Sequence, residues 1–377
     1  MLPDVIVVGA GIVGAAVAEA LAVAGCRVRV LESVWPGNGS TGAAMGHLLV
    51  LDDSEAQWRL TRLSRDLWDA RADQWGAALE WESCGTVWVA ADGEELELAR
   101  RRGAWFAERG VASELLDQVA LRAAEPNLAA GLAGGLRVPG DSVIYPPAAV
   151  RLLLEGAVRH GATIAAGTPV KRAGGGWVEL TNGDRLPAGA VIIAAGLATP
   201  ELLATPVEGL ALIPKKGHLA ITDRYPGWLR HQLVELSYLK SAHGSAPSSV
   251  AFNVQPRATG QILIGSSRQL DTLDPTVEPA TLSRMLARAA TYLPRLETLT
   301  ILRTWVGFRP ATPDNLPLIG PVPGQPRLWL ATGHEGIGVA TALGTAALIR
   351  ASVLGEAPPL DPTPYAVDRV VGWMAHA

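Results

Sequence analysis

The sequence predicts an α/β protein in which a Rossmann-like domain, assembled from separate stretches of chain, holds an inserted α+β domain with a mainly antiparallel sheet. Three observations support this prediction. A strand, a glycine-rich turn, a helix and a second strand follow one another within the first 32 residues. Continuous apolar strands, typical of buried parallel sheets, recur near residue 190 and after residue 327. The stretch 205–300 instead has alternating strands and several prolines.

Length and composition limit the alternatives. The 377 residues are more than a single hydrophobic core usually supports, which indicates two domains. The net charge of −4 argues against a nucleic-acid partner. Two distant cysteines, Cys26 and Cys84, exclude a disulfide framework, a thiolate zinc site and an iron–sulfur cluster, so we predict no metal and a cytoplasmic setting. The apolar run 5–25 contains Glu19 and lacks a basic leader, which favours a buried helix over a membrane anchor.

The first unit comprises strand 4–8, helix 12–24 and strand 27–31, the building block of a parallel sheet. Further helices are predicted over 54–72, 94–109, 148–160, 279–292 and 338–354. Further strands are predicted over 85–91, 190–196, 217–222, 250–256, 261–267 and 327–334. A hairpin is predicted over 175–188, where Asn182 and Gly183 suit a type I′ turn.

The turn after the first strand reads GAGIVG and begins at Gly9. Gly9 permits the tight turn, Gly11 lets a pyrophosphate approach the backbone, and Gly14 permits close packing of the helix on the strand. Ile12 and Val13 begin the helix, whose positive N-terminus faces the phosphates.

The second strand ends at Glu32, where a carboxylate can accept a hydrogen bond from a ribose hydroxyl. The complete fingerprint predicts a bound dinucleotide rather than glycines that serve only a turn. It occurs once, because the similar glycines of 333–338 lead into no acidic second strand. A flavoprotein reduced by a pyridine nucleotide needs two such fingerprints, so one FAD reduced by a small organic substrate is the economical interpretation.

Two further stretches of small residues are expected at the cofactor. The loop GNGSTGAAMGH (37–47) lets backbone amides approach a flat ring or a phosphate, unless it is merely flexible. The turn ATGHEGIG (331–338) leads into a helix N-terminus that suits negative charge on a reduced flavin. The expected contacts are Ser40, Thr41, Ala44, Gly46, His47, Leu48, Gly336, Ile337, Gly338 and Val339. For His47 and Glu335, a structural role and a catalytic role both stay open.

Arg309 lies in WVGFRPATPDNLPLIG (305–320), an apolar strand that Pro310 and Pro313 stiffen. An unpaired buried guanidinium is costly, so Arg309 needs a partner. That partner is either an acid such as Asp314 or the carboxylate of a substrate. The strand leads into the segment 331–338 expected at the flavin, which favours the substrate.

Together these segments resemble the D-amino-acid-oxidase-like family of FAD oxidoreductases, the group that contains glycine oxidase and sarcosine oxidase. The resemblance covers nearly the whole chain, through VIVVGAGIVG (5–14), VIIAAG (191–196), GFRPATPDNLPLIG (307–320) and LATGHEGIG (330–338). Within the family, STGAAMGHL, FNVQPR, IGSSRQ and GHEGIGVATALGTA are most similar to D-hydroxyproline dehydrogenases. They are next most similar to opine oxidase and hydrogen cyanide synthase catalytic subunits.

The resemblance implies a FAD-binding domain (1–84, 141–204 and 303–377) and a substrate-binding domain (85–140 and 205–302). It implies that Arg309 binds the substrate carboxylate. It also implies FAD contacts at Ala194, Ala195 and Gly196, and at the backbone near Val170.

Several positions depart from the family pattern. Some relatives attach flavin through a cysteine near the arginine or through a histidine in the loop. Here no cysteine follows Cys84 and Ala43 takes the place of the histidine, so we predict non-covalent FAD. Gly336 replaces a second arginine found in glycine oxidases, and Asn253 replaces a tyrosine that helps to hold the carboxylate.

The expected reaction is oxidation of an amino acid C–N bond to an imine by hydride transfer to flavin, as in a D-hydroxyproline or proline-type dehydrogenase. The alternatives are a glycine, D-amino-acid or opine oxidase that uses oxygen, and a flavin-carrying subunit of a heteromeric dehydrogenase. His47, Asn253 and Glu335 are candidate contacts to the substrate amine or hydroxyl. The electron acceptor stays open between a quinone, a partner subunit and oxygen, as do homo- and hetero-oligomers.

Overall fold

The computed structural model describes residues 4–50, 54–237 and 248–370. Some residues of each predicted domain therefore lie outside the described ranges. Its α-helices are α1 (Ile12–Val23), α2 (Glu55–Trp75), α3 (Gly93–Glu108), α4 (Gln118–Ala124), α5 (Pro146–Arg159), α6 (Thr199–Leu202), α7 (Pro279–Tyr292) and α8 (Gly338–Leu354). Its first strands are β1 (Asp4–Val8), β2 (Arg27–Leu31), β3 (His47–Leu48), β4 (Thr86–Ala90), β5 (Glu114–Asp117), β6 (Gly134–Val138), β7 (Ser142–Val143), β8 (Thr163–Ala165) and β9 (Val170–Gly174). They are followed by β10 (Trp177–Leu180), β11 (Arg185–Pro187), β12 (Ala190–Ile193), β13 (Ile213–Thr222), β14 (Gln232–Glu235), β15 (Ser248–Pro256), β16 (Ile262–Leu270), β17 (Ile301–Ala311), β18 (Leu318–Pro321) and β19 (Leu328–Thr332).

The first large sheet carries the glycine-rich turn. Among the described residues it has six strands in the order β18-β19-β12-β1-β2-β8. All neighbouring pairs are parallel except β18 and β19, which are antiparallel. Side chains of α1, α5 and α8 share a core with one face of this sheet, and the small antiparallel sheet β11-β10-β9 covers the other face. The predicted Rossmann-like parallel sheet is therefore confirmed.

The second large sheet is mainly antiparallel, as predicted. Within the part of the chain that the structure describes, it has eight strands in the order β17-β13-β16-β15-β14-β4-β6-β5. β14 and β4 are its parallel pair, and the other neighbours are antiparallel. Phe252 and Val254 of β15 share a core with Met285 and Tyr292 of α7, so this helix covers one face of the sheet.

Strand β17 belongs to the eight-stranded sheet, because it pairs with β13 along nearly its whole length. The boundary predicted between residues 302 and 303 falls within this strand. A strand's own residues do not specify which strand it pairs with, and that pairing is visible in the fold alone. We propose a domain boundary after β17, with the rest of the two-domain division kept as a prediction.

The hairpin β10–β11 is present, but its turn is not of the predicted type. Gly183 has a φ of +93° and its N–H donates to the carbonyl oxygen of Leu180 at 3.0 Å. Asn182 does not have a positive φ. A type I′ turn requires positive φ at both central residues. The type I′ prediction was therefore wrong, and only the glycine takes the left-handed conformation.

Helix α8 and the turn before it form an apolar segment. By length and composition alone, Glu335–Leu354 would be able to cross a membrane, with a mean hydropathy of 1.7. In the fold, 61% of the most apolar 18-residue window of this segment is buried inside the protein. The fully buried Trp68 of α2 donates from its indole nitrogen to the carbonyl oxygen of Val339 at 3.1 Å, which ties α2 to the first turn of α8.

Candidate active site

Three glycines shape the turn between β1 and α1. A Cβ atom at Gly9 would lie 2.5 Å from the carbonyl oxygen of Ala194, and one at Gly14 would lie 2.0 Å from the carbonyl oxygen of Gly9. Among the described residues, a Cβ at Gly11 would meet a single atom within 4 Å, Thr41 Oγ1 at 3.3 Å. The backbone is therefore closed at Gly9 and Gly14 and open at Gly11, which is the arrangement that admits a pyrophosphate.

The N-terminus of α1 and the end of β2 meet beside this turn. The N-cap residue Gly11 supplies no side chain, and Thr41 Oγ1 instead accepts a hydrogen bond from the N–H of Ile12 at 3.0 Å. Glu32 Oε2 accepts from the N–H of Ala10 at 2.8 Å. Glu32 Oε1 accepts from Ser33 Oγ and from the N–H of Val34, each at 3.0 Å, so of about four acceptor positions the carboxylate keeps about one, on Oε2, for a ribose hydroxyl. These residues fit the phosphate and ribose of a dinucleotide.

Thr41 is expected to stabilise the fold as well as the site. Replacing it with valine keeps the shape of the side chain but leaves the N–H of Ile12 without its acceptor. Loss of such a cap lowers the free energy of unfolding by about 1 kcal/mol. Denaturant unfolding measures this, with the exposed Thr205→Val as the matched control. Equal unfolding midpoints for the two variants would contradict the capping role.

The loop 37–46 joins the glycine-rich turn to the eight-stranded sheet. It is held there by hydrogen bonds from Ser40 Oγ to Phe308 O, from Trp305 Nε1 to Ala43 O at 3.4 Å and from Gln255 Nε2 to Met45 O at 2.7 Å. A Cβ atom at Gly307 would lie 2.6 Å from the Cβ of Ala43, so the loop and β17 are in close contact. The loop is anchored on both sides, which argues against the alternative of a merely flexible connection.

The other residues predicted at the cofactor differ in what they can offer. Ala194 adjoins Gly9, and Val170 packs in one cluster with Leu31 at the end of β2. The side chains of Ile12, Leu48 and Val339 are buried in the core, so only their backbone can face a ligand. Gly46 has a φ of +94°, and a Cβ there would lie 2.0 Å from the carbonyl oxygen of Ile144, which makes this glycine structural. Gly336, Ile337, Gly338 and Val339 form the 3-10 turn and the first residues of α8.

Arg309 crosses the face of the eight-stranded sheet. A Cβ atom at Gly217 would lie 2.8 Å from Arg309 Nη2, so this glycine makes room for the guanidinium. Arg309 Nη1 donates to the carbonyl oxygen of Ser267 at 3.2 Å. A Cβ at Gly336 would lie 3.5 Å from Arg309 Cδ. Because Gly336 has no side chain, it leaves Arg309 uncovered on that side.

Arg309 has no acid partner in the described part of the chain, since no carboxylate oxygen there lies within 4.0 Å of its guanidinium. The alternative of a structural ion pair with Asp314 was wrong. Asp314 instead pairs with Arg369 at 2.8 Å. Arg309 is also half-buried rather than fully buried.

Lys215 and Glu335 lie beside Arg309. Lys215 is directly opposite Arg309 in the β13–β17 pair, which puts both side chains on one face of the sheet. Lys215 Nζ donates to Asn315 Oδ1 at 2.8 Å and lies 3.9 Å from Glu335 Oε1. Burial raises the pKa of Glu335, but Arg309 and Lys215 outweigh it and the pKa is lowered overall. The ionised Glu335 balances one of these two cations, which leaves positive charge for an anionic ligand.

A polar network occupies the same face of the sheet, several strands from Arg309. Asn253 and Gln255 alternate with core residues of β15 and therefore face the site. Gln232 Nε2 lies 2.7 Å from His47 Nδ1 and 3.4 Å from Asn253 Oδ1. Burial lowers the pKa of His47 to about 3, so its ring is neutral. In the residues that the structure describes, His47 Nε2 and Gln255 Oε1 are buried without a hydrogen-bond partner.

The structure thus brings Arg309 and Glu335 into one cluster and His47 and Asn253 into another, on one face of one sheet. Sequence reasoning missed Lys215 and Gln232. A buried lysine in the strand PKKGHLAIT was a usable signal, because lysine is rarely buried without a partner. Nothing in the sequence around Gln232, which lies between His231 and a run of apolar residues, indicated that its side chain reaches the site.

Comparisons with known proteins show which family the chain resembles over nearly its whole length. Residues 4–351 match the family described as FAD dependent oxidoreductase. Glycine oxidase of Pseudomonas aeruginosa is 30% identical, over 97% of this chain and 99% of the relative. A hydrogen cyanide synthase subunit of the same species is 26% identical, over 97% and 96%. The crystal structure of glycine oxidase from Geobacillus kaustophilus is 27% identical and has a TM-score of 0.86, over 97% of this chain and 98% of that one.

Proposed function

The chain belongs to the D-amino-acid-oxidase family of FAD-dependent oxidoreductases, and from this premise we propose that it oxidises the C–N bond of an amino acid whose carboxylate binds Arg309. The family and the relatives make it an FAD-dependent amino acid oxidase or dehydrogenase. FAD supplies the hydride acceptor when it is bound, and the chain's own residues bind and orient the substrate. The observation that carries the proposal is a guanidinium with no carboxylate oxygen within 4.0 Å, among the described residues, on the sheet face that the loop 37–46 contacts.

Arg309 is suited to a carboxylate by geometry and by charge. Its planar guanidinium can donate two parallel hydrogen bonds to a carboxylate, which fixes the orientation of the α-carbon as well as its position. Gly217 and Gly336 have no side chains, so neither residue covers Arg309. Lys215 adds a second positive charge at the same place and strengthens the attraction.

Glu335 is suited to hold the amine but not to deprotonate it. Its pKa is lowered, chiefly by Arg309 and Lys215 against the effect of burial, and a carboxylate of low pKa is a weak base. It remains an acceptor for the N–H groups of a substrate amine that binds in its neutral form, whose lone pair is free when the α C–H is lost as a hydride. We therefore propose a binding role for Glu335 beside the carboxylate site.

The finer proposal is a substrate of the D-hydroxyproline or proline type. The resemblance of the loop 37–48 and of β15 and β16 to D-hydroxyproline dehydrogenases supports it. The space that Gly336 leaves beside Arg309 suits a substrate with a ring. His47, Asn253 and Gln255 offer hydrogen bonds to a hydroxyl group away from the carboxylate.

Two other functions have a specific observation in their favour. The similarity to glycine oxidase favours an oxidase that transfers electrons to oxygen, and formation of peroxide in air identifies it. The similarity to a hydrogen cyanide synthase subunit favours a flavin-carrying subunit of a larger complex. Absence of turnover by the isolated chain with dyes or quinones supplied would support this second alternative. We propose a cytoplasmic location for the protein, whether it is a dehydrogenase, an oxidase or a flavin-carrying subunit.

FAD is expected to be bound without a covalent bond. Burial raises the pKa of the Cys84 thiol to about 12, so it is protonated and a poor nucleophile, and Cys26 is buried in the core. Acid precipitation of the yellow protein is therefore expected to release all the flavin into the supernatant. Colour that stays with the pellet would contradict this prediction.

The proposed activity is tested by anaerobic bleaching of the flavin. A panel of D- and L-amino acids, glycine, sarcosine, proline and hydroxyproline isomers is mixed with the FAD-loaded enzyme. We expect fastest bleaching by a cyclic amino acid with a hydroxyl group. Fastest bleaching by glycine would overturn the finer proposal, and bleaching by no amino acid would overturn the proposed function itself.

A further inference from the structure

His47 has a defined hydrogen-bond partner at one ring nitrogen and, among the described residues, none at the other. Gln232 Nε2 lies 2.7 Å from Nδ1 of His47. An amide nitrogen donates and does not accept, so Nδ1 of a neutral ring must be the acceptor. The ring proton is then on Nε2, the buried nitrogen that lacks a partner in this part of the chain.

We propose that Gln232 is a positioning residue that holds His47 in the Nε2–H tautomer and so presents one fixed N–H donor to the ligand of this site. The identity of the ligand rests on the proposed function. The tautomer is a property of the protein's own side chains. This role goes beyond Arg309 and the cofactor residues, because Gln232 acts through His47.

The side chain of Gln232 is held from several directions. Gln232 is 1% exposed and begins β14, between β15 and β4. Just before it, Glu125 Oε1 accepts from the N–H groups of Arg230 at 2.8 Å and His231 at 2.6 Å, which fixes the backbone. The same amide group of Gln232 donates to Asn253 Oδ1 at 3.4 Å. The amide is therefore oriented by its surroundings, and it orients the imidazole in turn.

The unpartnered Nε2–H indicates that a ligand supplies the acceptor. A buried donor without a partner loses its hydrogen bonds to water and gains none in return, and native proteins rarely leave one. Protonation of the ring does not relieve this cost, because burial keeps the pKa of His47 at about 3. An oxygen or nitrogen atom of the bound substrate or flavin that accepts from Nε2 removes it. His47 then donates to the ligand from Nε2, and Gln232 keeps the ring proton on that nitrogen.

The test is nitrogen NMR of the FAD-loaded enzyme with labelled histidine. The His47 signals, identified among the seven histidines by His47→Gln, are expected to show a neutral ring protonated at Nε2. Gln232→Met removes the donor at nearly equal volume, so mixed tautomers are expected. Gln232→Glu supplies only an acceptor, so the proton is expected to move to Nδ1. The buried Gln57→Met is the matched control and leaves the His47 signals unchanged.

Kinetics separate the positioning role from a structural one. Gln232→Met is expected to slow flavin reduction about 10-fold at saturating substrate, the size expected when one hydrogen bond in the site is misplaced. In a His47→Gln background, the same change is expected to have no further effect. A wild-type ring protonated at Nδ1, a tautomer that neither Gln232 variant alters, or additive kinetic effects would each overturn the proposal. If no amino acid bleaches the flavin, the proposed function fails while the NMR result still decides the tautomer.

Discussion

Replacing Arg309 with methionine is expected to raise the amino acid concentration that half-saturates flavin reduction by about 100-fold. Removing one partner of a desolvated, hydrogen-bonded charge pair costs about 2–5 kcal/mol, and about 3 kcal/mol corresponds to a factor of about 100. No carboxylate oxygen of the described residues lies within 4.0 Å of the Arg309 guanidinium, but Arg309 is one of the cations that offset the buried charge of Glu335. We expect the larger loss in substrate binding, because Lys215 still lies 3.9 Å from Glu335.

The measurement is anaerobic flavin reduction against substrate concentration, with FAD content checked first. The matched control is Arg303→Met, which removes an exposed arginine from the same strand. The control is expected to keep the half-saturating concentration of the parent enzyme. If Arg309→Met also keeps it, Arg309 does not bind the carboxylate. Lys215→Met then becomes the variant to measure, since Lys215 is the neighbouring cation on the same face.

Replacing Gly11 with valine is expected to yield a folded protein that has lost FAD. Among the described atoms, a Cβ at Gly11 would contact only Thr41 Oγ1, at 3.3 Å, so we expect the fold to accommodate the variant after a small shift of this hydroxyl. The added side chain enters the space that the pyrophosphate needs. Overpacking such a contact costs up to about 3 kcal/mol, which weakens FAD binding about 100-fold.

Visible absorbance after desalting measures the bound FAD, and circular dichroism confirms that the variant is folded. Gly93→Val is the matched control, because Gly93 begins α3 and a Cβ atom placed there would have no described atom within 4 Å. The control is expected to retain FAD. A Gly11→Val protein that stays yellow at parental stoichiometry would show that the phosphates do not approach this turn.

The two experiments separate the halves of the site. Gly11 lies in the turn between β1 of the six-stranded sheet and α1, and its replacement is expected to remove the cofactor. Arg309 lies in β17 of the eight-stranded sheet, and its replacement is expected to remove substrate affinity. The loop 37–46 joins them, since Thr41 caps α1 while Gln255 and Trp305 hold the loop from the other sheet.

Local pattern was sufficient for the class of fold and for the cofactor. Helix α7 was predicted over 279–292 and spans Pro279–Tyr292, because a proline at its start and apolar side chains at helical spacing specify both its ends. The glycines of the first turn were predictable for a similar reason. Their roles depend on backbone conformation and close approach, which the residue type itself decides.

The tertiary structure alone decided which side chains meet. Asp314 was close to Arg309 in sequence, yet it pairs with Arg369, while Lys215 reaches Arg309 across a strand pair. Gln232 contacts His47 although the two residues are 185 positions apart. Strand pairing and register bring such groups together, and the composition of a single strand specifies neither. Hence the sequence determined an FAD-binding α/β protein with Arg309 at its centre. The fold decided that no carboxylate oxygen of the described chain lies within 4.0 Å of this guanidinium, and it placed a buried glutamine against the histidine.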